Sequence, residues 1–215
     1  MSFRPTRKGD RNSFHERYTP RCRGGRPAAA ALEPPGMHVE RLPLAGALLL
    51  ALPAFGDNRG YFRETYASAR YHSAGISDEF VQDNVSFSHR HVLRGLHGDL
   101  RMSKLVGVLC GEAYDVLVDV RPGSPTRGRW HAVTLRAQDH RQVYVPAGFL
   151  HCFLALTDDV LFLYKQSAGY DPTSEFGVRW DDPELAVAWP VGERQPVLSA
   201  KDAANPSARS LGLLG

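Results

Sequence analysis

From Met37 onward the chain predicts an all-β barrel or sandwich of the jelly-roll kind, on three observations. Short segments with strand-like alternation follow one another, turn residues stand between nearly all of them, and almost no stretch carries a helical period. Serial short strands joined by Gly- and Pro-containing turns pack as two sheets or close into a barrel. A jelly roll suits this number of strands and leaves a mouth able to hold a ligand.

The elements follow in order. "LPLAGALLLALPAF" (42–55) is bounded by Pro43 and Pro53 and is too short to span a bilayer, so it reads as one or two buried strands. "YFRETY" (61–66) alternates, and "EFVQDNVSFS" (79–88) does so in part, with a short helix expected between them at "ASARYHSAG" (67–75), ended by Gly75. "VLRGLHGDLRMSKLV" (92–106) is a strand, a loop and a second strand. "KLVGVLCGEAYDVLVDV" (104–120) continues as two strands joined at Gly111–Glu112. "RGRWHAVTLR" (127–136), "RQVYVP" (141–146), "HCFLAL" (151–156) and "VLFLYKQ" (160–166) complete the set. Beyond Trp180, "WDDPELAVAWP" and "VLSAKDAANP" read as short Pro-bounded segments that pack across the barrel.

Charge divides the chain in two. Residues 1–36 hold eight Lys/Arg against Asp10, Glu16 and Glu33, which leaves 18 basic and 20 acidic residues beyond Gly36. The net charge of +3 therefore belongs to the tail, and the body is slightly acidic. The tail is rich in Arg, Pro and Gly without an apolar period and reads as disordered. It lacks a signal-peptide hydrophobic region; targeting, nucleic-acid contact or translation of an upstream stretch are its readings. The domain expected is thus 37–215, with 1–36 as a basic tail. Neither nucleic acid nor a membrane is an expected partner of the body. Cys22, Cys110 and Cys152 form no CxxC pair and no disulfide framework, which fits a reducing cytoplasm better than secretion.

One stretch concentrates chemistry. Arg94, His97 and Lys104 lie close together, two fixed cations and an imidazole that titrates near neutrality. Each alone is more often a packed or solvated residue than a functional one. Metal binding needs three or four converging ligands. His97 is followed by Gly98 and Asp99, while His89 and His91 sit in a polar turn, so that signal is weak. No GxSxG elbow and no phosphate-cradling glycine loop is present. Cys152 and His151 are strand neighbours and point to opposite faces. What remains is acid–base chemistry assisted by cations. Removing a proton beside a ketone needs a base near neutrality, a cation for the enolate oxygen and an acid on the other face. His97, Lys104 or Arg94, and a tyrosine hydroxyl are the right types.

"FGDNRGYFRETY", "FVQDNVSFS", "VLRGLH", "KLVGVLCGEAYDVLVDVRPGSPTRGRW", "VPAGFLHCFLAL", "FLYK", "WDDPELAVAWP" and "LSAKDA", in this order from about 38 to 206, closely resemble the dTDP-4-dehydrorhamnose 3,5-epimerases. The resemblance implies a metal-free, cofactor-free, cupin-like double-stranded β-helix, usually a homodimer, acting on a nucleotide-linked 4-keto-6-deoxy sugar. It passes the role of base to His97 with Asp202 as its partner, that of enolate stabiliser to Lys104, and that of opposed proton donor to Tyr164. It places His151 and Arg94 at the sugar ring or its phosphates and an active-site carboxylate at Asp115. Arg59, Glu64, Gln82 and Asn84 match positions that grip the nucleotide and diphosphate; guanidinium suits phosphate through its paired donors.

The departures bear on substrate. Gly98 and Asp99 replace an aromatic residue and an amide, and the loop before Lys104 is shorter. The "HGD" form also resembles family members acting on other nucleotide sugars, GDP-linked heptoses among them. Gly169 stands where an aromatic residue commonly stacks on thymine, with Tyr170 as the nearest substitute, and Cys152 stands where Gly is usual. Epimerisation at C3 alone, a ketoisomerase and a non-catalytic sugar-nucleotide binder are the competing expectations.

Overall fold

Alternating segments, once paired edge to edge, place one side of each strand toward a common core. The computed structural model describes residues 36–214; the basic tail, Gly36 apart, lies outside the described residues. The strands are β1 (His38–Arg41), β2 (Leu48–Ala51), β3 (Phe55–Asp57), β4 (Gly60–Phe62), β5 (Gln82–Ser88), β6 (Leu93–Gly98) and β7 (Lys104–Cys110). They continue as β8 (Glu112–Asp119), β9 (Trp130–Arg136), β10 (Arg141–Val145), β11 (Phe149–Ala155), β12 (Val160–Gln166) and β13 (Phe176–Gly177). Two short helices, α1 (Ser68–Ser73) and α2 (Ala200–Ala203), interrupt this pattern.

A six-stranded sheet has the order β1-β2-β10-β7-β12-β5, a five-stranded sheet the order β13-β6-β11-β8-β9, and β3 and β4 form a separate hairpin. All strand pairs within these sheets are antiparallel. This is the expected jelly-roll sandwich. Its inner core takes Val106 and Val108 from β7, Leu117 from β8, Phe153 from β11 and Phe162 from β12. The rings of Phe153 and Phe162 stack across the sheets, 4.1 Å apart and nearly parallel.

Both sheets are also covered on parts of their outer faces, which explains the apolar runs that do not alternate. The C-terminal segment lays Val178, Leu185 and Ala208 on Leu96, Val118, Leu150 and Cys152 of the five-stranded sheet. Tyr71 and Ile76, from α1 and the turn after it, cover Leu50 and Leu105 of the six-stranded sheet. Central strand β11 is therefore buried along its whole length.

Three sequence expectations are refined. "YFRETY" contributes only Tyr61 and Phe62 to a strand, because Arg63 turns to His140 and Glu64 pairs with Arg70 at the entrance to α1. Strand β1 lies ahead of the first apolar run. Cys152 is a free, buried thiol, but Cys110 is disulfide-bonded, which corrects the reading of a chain without disulfides at that position.

One polar knot fastens the sandwich. Buried Asp119 accepts bonds from Ser124 Oγ at 2.5 Å, Thr126 Oγ1 at 2.6 Å and the Arg121 guanidinium at 2.8 and 2.9 Å. Arg121 Nη2 and Thr126 Oγ1 reach on to the backbone of Ala45, tying the loop before β2 to the end of β8. Burial would raise the Asp119 pKa, but Arg121, Ser124 and Thr126 bring it from 3.8 down to about 2. Its ionisation thus stabilises the fold by about 2 kcal/mol above pH 4, and this contribution drains away as pH falls through about 2. Asp119→Ala is expected to cost about 3 kcal/mol near neutrality, read from denaturant midpoints. The gap between wild type and variant should narrow between pH 4 and 2; a gap of constant size over that range contradicts the assignment.

Candidate active site

A cavity of about 480 Å³ opens between the two sheets. The five-stranded sheet contributes Arg94 and His97 from β6 and His151 and Phe153 from β11. The six-stranded sheet contributes Lys104 from β7 and Phe162, Tyr164 and Gln166 from β12. Tyr170 and Glu175 come from the segment after β12, and Ser199, Lys201 and Asp202 from the last segment. The imidazoles thus stand on one sheet, the phenol and the ammonium on the other.

Arg94 and His97 face the same space although they are three positions apart, which plain alternation forbids. The register of β6 against β11 shifts between them: Arg94 opposes Phe153 and His97 opposes His151, so Gly95 and Leu96 together face Cys152. Gly95 makes this possible. Its φ is +126°, and a Cβ there would lie 2.6 Å from the His151 carbonyl oxygen and the Cys152 Cβ. Gly98 serves differently, since a Cβ there would strike the ring of Phe176 on β13 at 2.4 Å.

His97 Nε2 lies 2.6 Å from Asp202 Oδ1. Ser199 caps the N-terminus of α2 by accepting from the Asp202 N–H at 3.0 Å, which fixes the carboxylate in place. Burial works to raise the Asp202 pKa, but the bond to His97 and those from Ser199 and the Gly95 N–H hold it below the usual carboxylate value. The ionised carboxylate therefore accepts from Nε2–H, which leaves Nδ1 as the ring nitrogen turned away from Asp202. Nδ1 is 3.9 Å from Glu175 Oε1. Behind the cavity wall, His151 Nε2 lies 2.7 Å from Oδ1 of the buried Asp115.

The cations are held in different ways. Burial pushes the Lys104 ammonium below its ordinary value, with Glu175, Asp99 and Asp115 pulling it partly back. Arg94 donates to Ser88 Oγ at 3.0 Å and to the Phe87 carbonyl at 2.9 Å, two neutral acceptors that leave its charge uncompensated by direct pairing. Lys201 pairs with Glu175 Oε2. Burial raises the Tyr164 phenol above its ordinary value, Arg94 opposing and Glu175 adding to the shift. It is therefore protonated at neutral pH, the form needed by a proton donor. Among the described residues no group of three or more His, Cys, Asp or Glu side chains gathers as a metal-holding cluster, and no helix is long and apolar enough to cross a membrane.

His97, Asp202, Tyr164, Lys104, Arg94 and His151 thus converge, with Asp115 behind them. Asn84 and Gln82 stand one step back. Asn84 donates to Gln166 at 3.1 Å, and Gln82 accepts from the Tyr170 N–H at 3.2 Å. Arg59 and Glu64 do not join the cavity of their own chain. Arg59 sits in the exposed β3–β4 turn paired with Asp57, and Glu64 pairs with Arg70 at 3.2 Å. Glu175, Lys201 and Gln166 line the cavity without having been singled out in the sequence. Their signal was adjacency alone: Lys201 directly precedes Asp202, and Gln166 closes the strand of Tyr164.

A jelly-roll sandwich whose inter-sheet cavity opposes a carboxylate-backed imidazole to a phenol and a buried ammonium defines an acid–base isomerase. The profile of the dTDP-4-dehydrorhamnose 3,5-epimerase family matches residues 41–210. The dTDP-4-dehydrorhamnose 3,5-epimerase of Salmonella typhimurium is 42% identical over 174 residues, covering 79% of this chain and 94% of its own. Among solved structures, the dTDP-6-deoxy-D-glucose-3,5-epimerase of Legionella pneumophila in complex with dTDP-4-keto-L-rhamnose superposes with a TM-score of 0.79 at 43% identity, over 83% of this chain and 97% of that one. A 3′-monoepimerase from Streptomyces bikiniensis in complex with dTDP-quinovose gives a TM-score of 0.75 at 38% identity, over 80% and 90%. The chain belongs to the dTDP-4-dehydrorhamnose 3,5-epimerase family and has its cupin-like fold.

Gly95→Ala is expected to lower Tm sharply and to abolish turnover in whatever remains folded, because the added Cβ meets backbone and positive φ at once. Gly98→Ala meets the movable Phe176 ring and should be the milder change by about 1–2 kcal/mol in the same unfolding assay. If Gly95→Ala proves as stable as Gly98→Ala, the register shift does not depend on this glycine.

Proposed function

We propose that the protein epimerises a dTDP-linked 4-keto-6-deoxy sugar at C3 and C5, of the dTDP-4-dehydro-6-deoxyglucose to dTDP-4-dehydrorhamnose type. The observation that carries this reading is the opposition across one cavity of the His97–Asp202 pair on one sheet and Tyr164 with Lys104 on the other. His97 takes the proton from the carbon beside the C4 ketone. The electron pair moves to the ketone oxygen, where the Lys104 ammonium stabilises the enolate. Tyr164 delivers a proton to the same carbon from the opposite face and inverts it. Imidazolium and phenolate are reset by proton exchange with solvent, so each inverted centre carries solvent hydrogen. Asp202 holds the imidazole in the right tautomer and favours the cation formed when it accepts a proton. Arg94 and His151 face the ring and its phosphates, with Asp115 orienting His151. Gln82 and Asn84 support the nucleotide end through Tyr170 and Gln166. Of the competing assignments, GDP-linked heptoses, ketone migration and turnover-free binding are disfavoured by relatives that are dTDP-sugar epimerases, while C3-only inversion has a counterpart in the 3′-monoepimerase.

A homodimer completes the reading. Phe55, Tyr61 and Phe62 on the β3–β4 hairpin and Val81 and Val85 at the edge strand β5 are exposed apolar side chains, a surface of the kind that marks an interface. Arg59 stands on that same hairpin and Glu64 just beyond it, so in a pair of chains they would serve the partner's cavity. The cytoplasm, where nucleotide sugars are made, is the compartment this substrate implies.

In deuterated buffer, wild-type protein should place deuterium at C3 and C5 of the dTDP-4-keto sugar and leave the ketone at C4. Label at C3 alone would make it a monoepimerase, and no label with dTDP-, GDP- or CDP-linked 4-keto sugars would reject the reading. His97→Ala should lose both exchange and inversion by at least about 10²-fold. Tyr164→Phe should lose inversion by a similar factor while retaining exchange, since the base remains and the opposed donor is gone. Sedimentation at micromolar concentration should give twice the chain mass, and a monomer there would remove the dimer.

A further inference from the structure

The segment between β12 and β13 carries Tyr170 and Glu175 to the cavity, and it is fastened to the loop between β6 and β7. Asp99, almost fully buried, accepts from Ser174 Oγ at 2.6 Å through Oδ2 and from the Arg101 N–H at 2.8 Å through Oδ1. The Arg101 guanidinium bridges Asp99 and Asp171, each at 3.3 Å. Asp171 in turn caps its own turn, taking the Thr173 N–H at 2.9 Å and hydroxyl at 2.7 Å. On the other side of Glu175, Phe176 pairs with Gly98 in the β13–β6 ladder, its ring filling the space that a side chain at 98 would need.

Glu175 is therefore held from both flanks, by Ser174 on Asp99 and by Phe176 on Gly98. These contacts fix the chain on both sides of it. Its carboxylate lies 3.9 Å from His97 Nδ1, while its other oxygen meets Lys201 and lies 3.5 Å from the Tyr170 hydroxyl. His97 thus has a carboxylate on each side of the ring, Asp202 bonded to Nε2 and Glu175 facing the nitrogen that is free to act. A negative group at that distance favours the imidazolium formed when the base takes its proton, provided its position is kept.

We propose that Asp99 is a positioning residue of this site, which acts through Ser174 and Arg101 to hold Glu175 beside the free ring nitrogen of His97. The proposal rests on the epimerase reading above and adds to it a residue outside the cavity. The Gly98–Asp99 pair is then a matched replacement, with Gly98 admitting the Phe176 ring and Asp99 receiving the Ser174 hydroxyl, and the two together set where the following carboxylate points.

The test measures kcat and KM for inversion of the dTDP-4-keto sugar with wild type, Asp99→Ala, Asp99→Asn, Ser174→Ala, Glu175→Gln and the Asp99→Ala/Glu175→Gln double variant. Asp99→Ala and Ser174→Ala should each lose about 10- to 100-fold in kcat with KM changed less than about threefold. Asp99→Asn keeps one acceptor oxygen for the Arg101 N–H and offers its amide N–H to Ser174 Oγ, and it should recover most of the rate. The double variant should be no slower than Glu175→Gln, because a clamp has nothing to position once the carboxylate is gone. Wild-type kcat in Asp99→Ala and Ser174→Ala, or losses that multiply in the double variant, would overturn the proposal. Should Asp99→Ala fail to fold, Ser174→Ala decides, since it removes one hydroxyl from a partly exposed turn. Wild type without inversion would reject the epimerase reading itself, whereas active wild type with equally active clamp variants rejects the clamp alone.

Discussion

The contact between His97 and Asp202 is the constraint around which the rest of the chain is arranged. The two residues are 105 positions apart in sequence, so bringing them to bonding distance requires the last segment to cross the whole five-stranded sheet. It does so by burying Val178, Leu185 and Ala208 on that sheet's outer face. The hydrophobic effect thus delivers the carboxylate, and a serine-capped turn of helix aims it. Burial of an ionised Asp is unfavourable without partners. Here the imidazole, the Ser199 hydroxyl and the Gly95 N–H supply them. Gly95 consequently serves twice, by shifting the register that turns His97 inward and by donating to the carboxylate that orients it.

Charge in the cavity is distributed with the same economy. Arg94 is bound to neutral acceptors, Lys104 is partly desolvated, and Lys201 is matched to Glu175. Two cations are thus left without direct pairing, while the carboxylates are committed to His97, His151 and Lys201. Such a site attracts an anionic ligand.

Much of this architecture was legible in the sequence because it depends on local pattern. Most strands from β5 through β12 announced themselves by period and by the turns between them, and the helix ahead of Gly75 by its breaker. Where the pattern failed, a non-local partner decided the outcome. Residues 63–66 alternate like a strand but answer to His140 and Arg70 instead. Strand β11 does not alternate, since both of its faces are covered. The functional residues divide similarly. His97, Lys104, Tyr164, Asp202, Arg94, His151 and Asp115 occur in stretches whose order resembles a known family. The place of Glu175 beside His97 depends on bonds to Asp99 and packing on Gly98, which no spacing along the chain expresses. Arg59 and Glu64 carry the family's residue types, yet within a single chain the hairpin holds them away from the cavity.

Phe153 and Phe162, stacked across the sheets, are at once part of the inner core and part of the cavity lining. The wall against which a sugar would rest is therefore the same pair of rings that sets the spacing between imidazole and phenol. Stability and chemistry share those atoms, and selection cannot tune one without touching the other. Freedom to change ligand preference must lie instead at the rim, in the loops after β6 and β12, where this chain has its own solution.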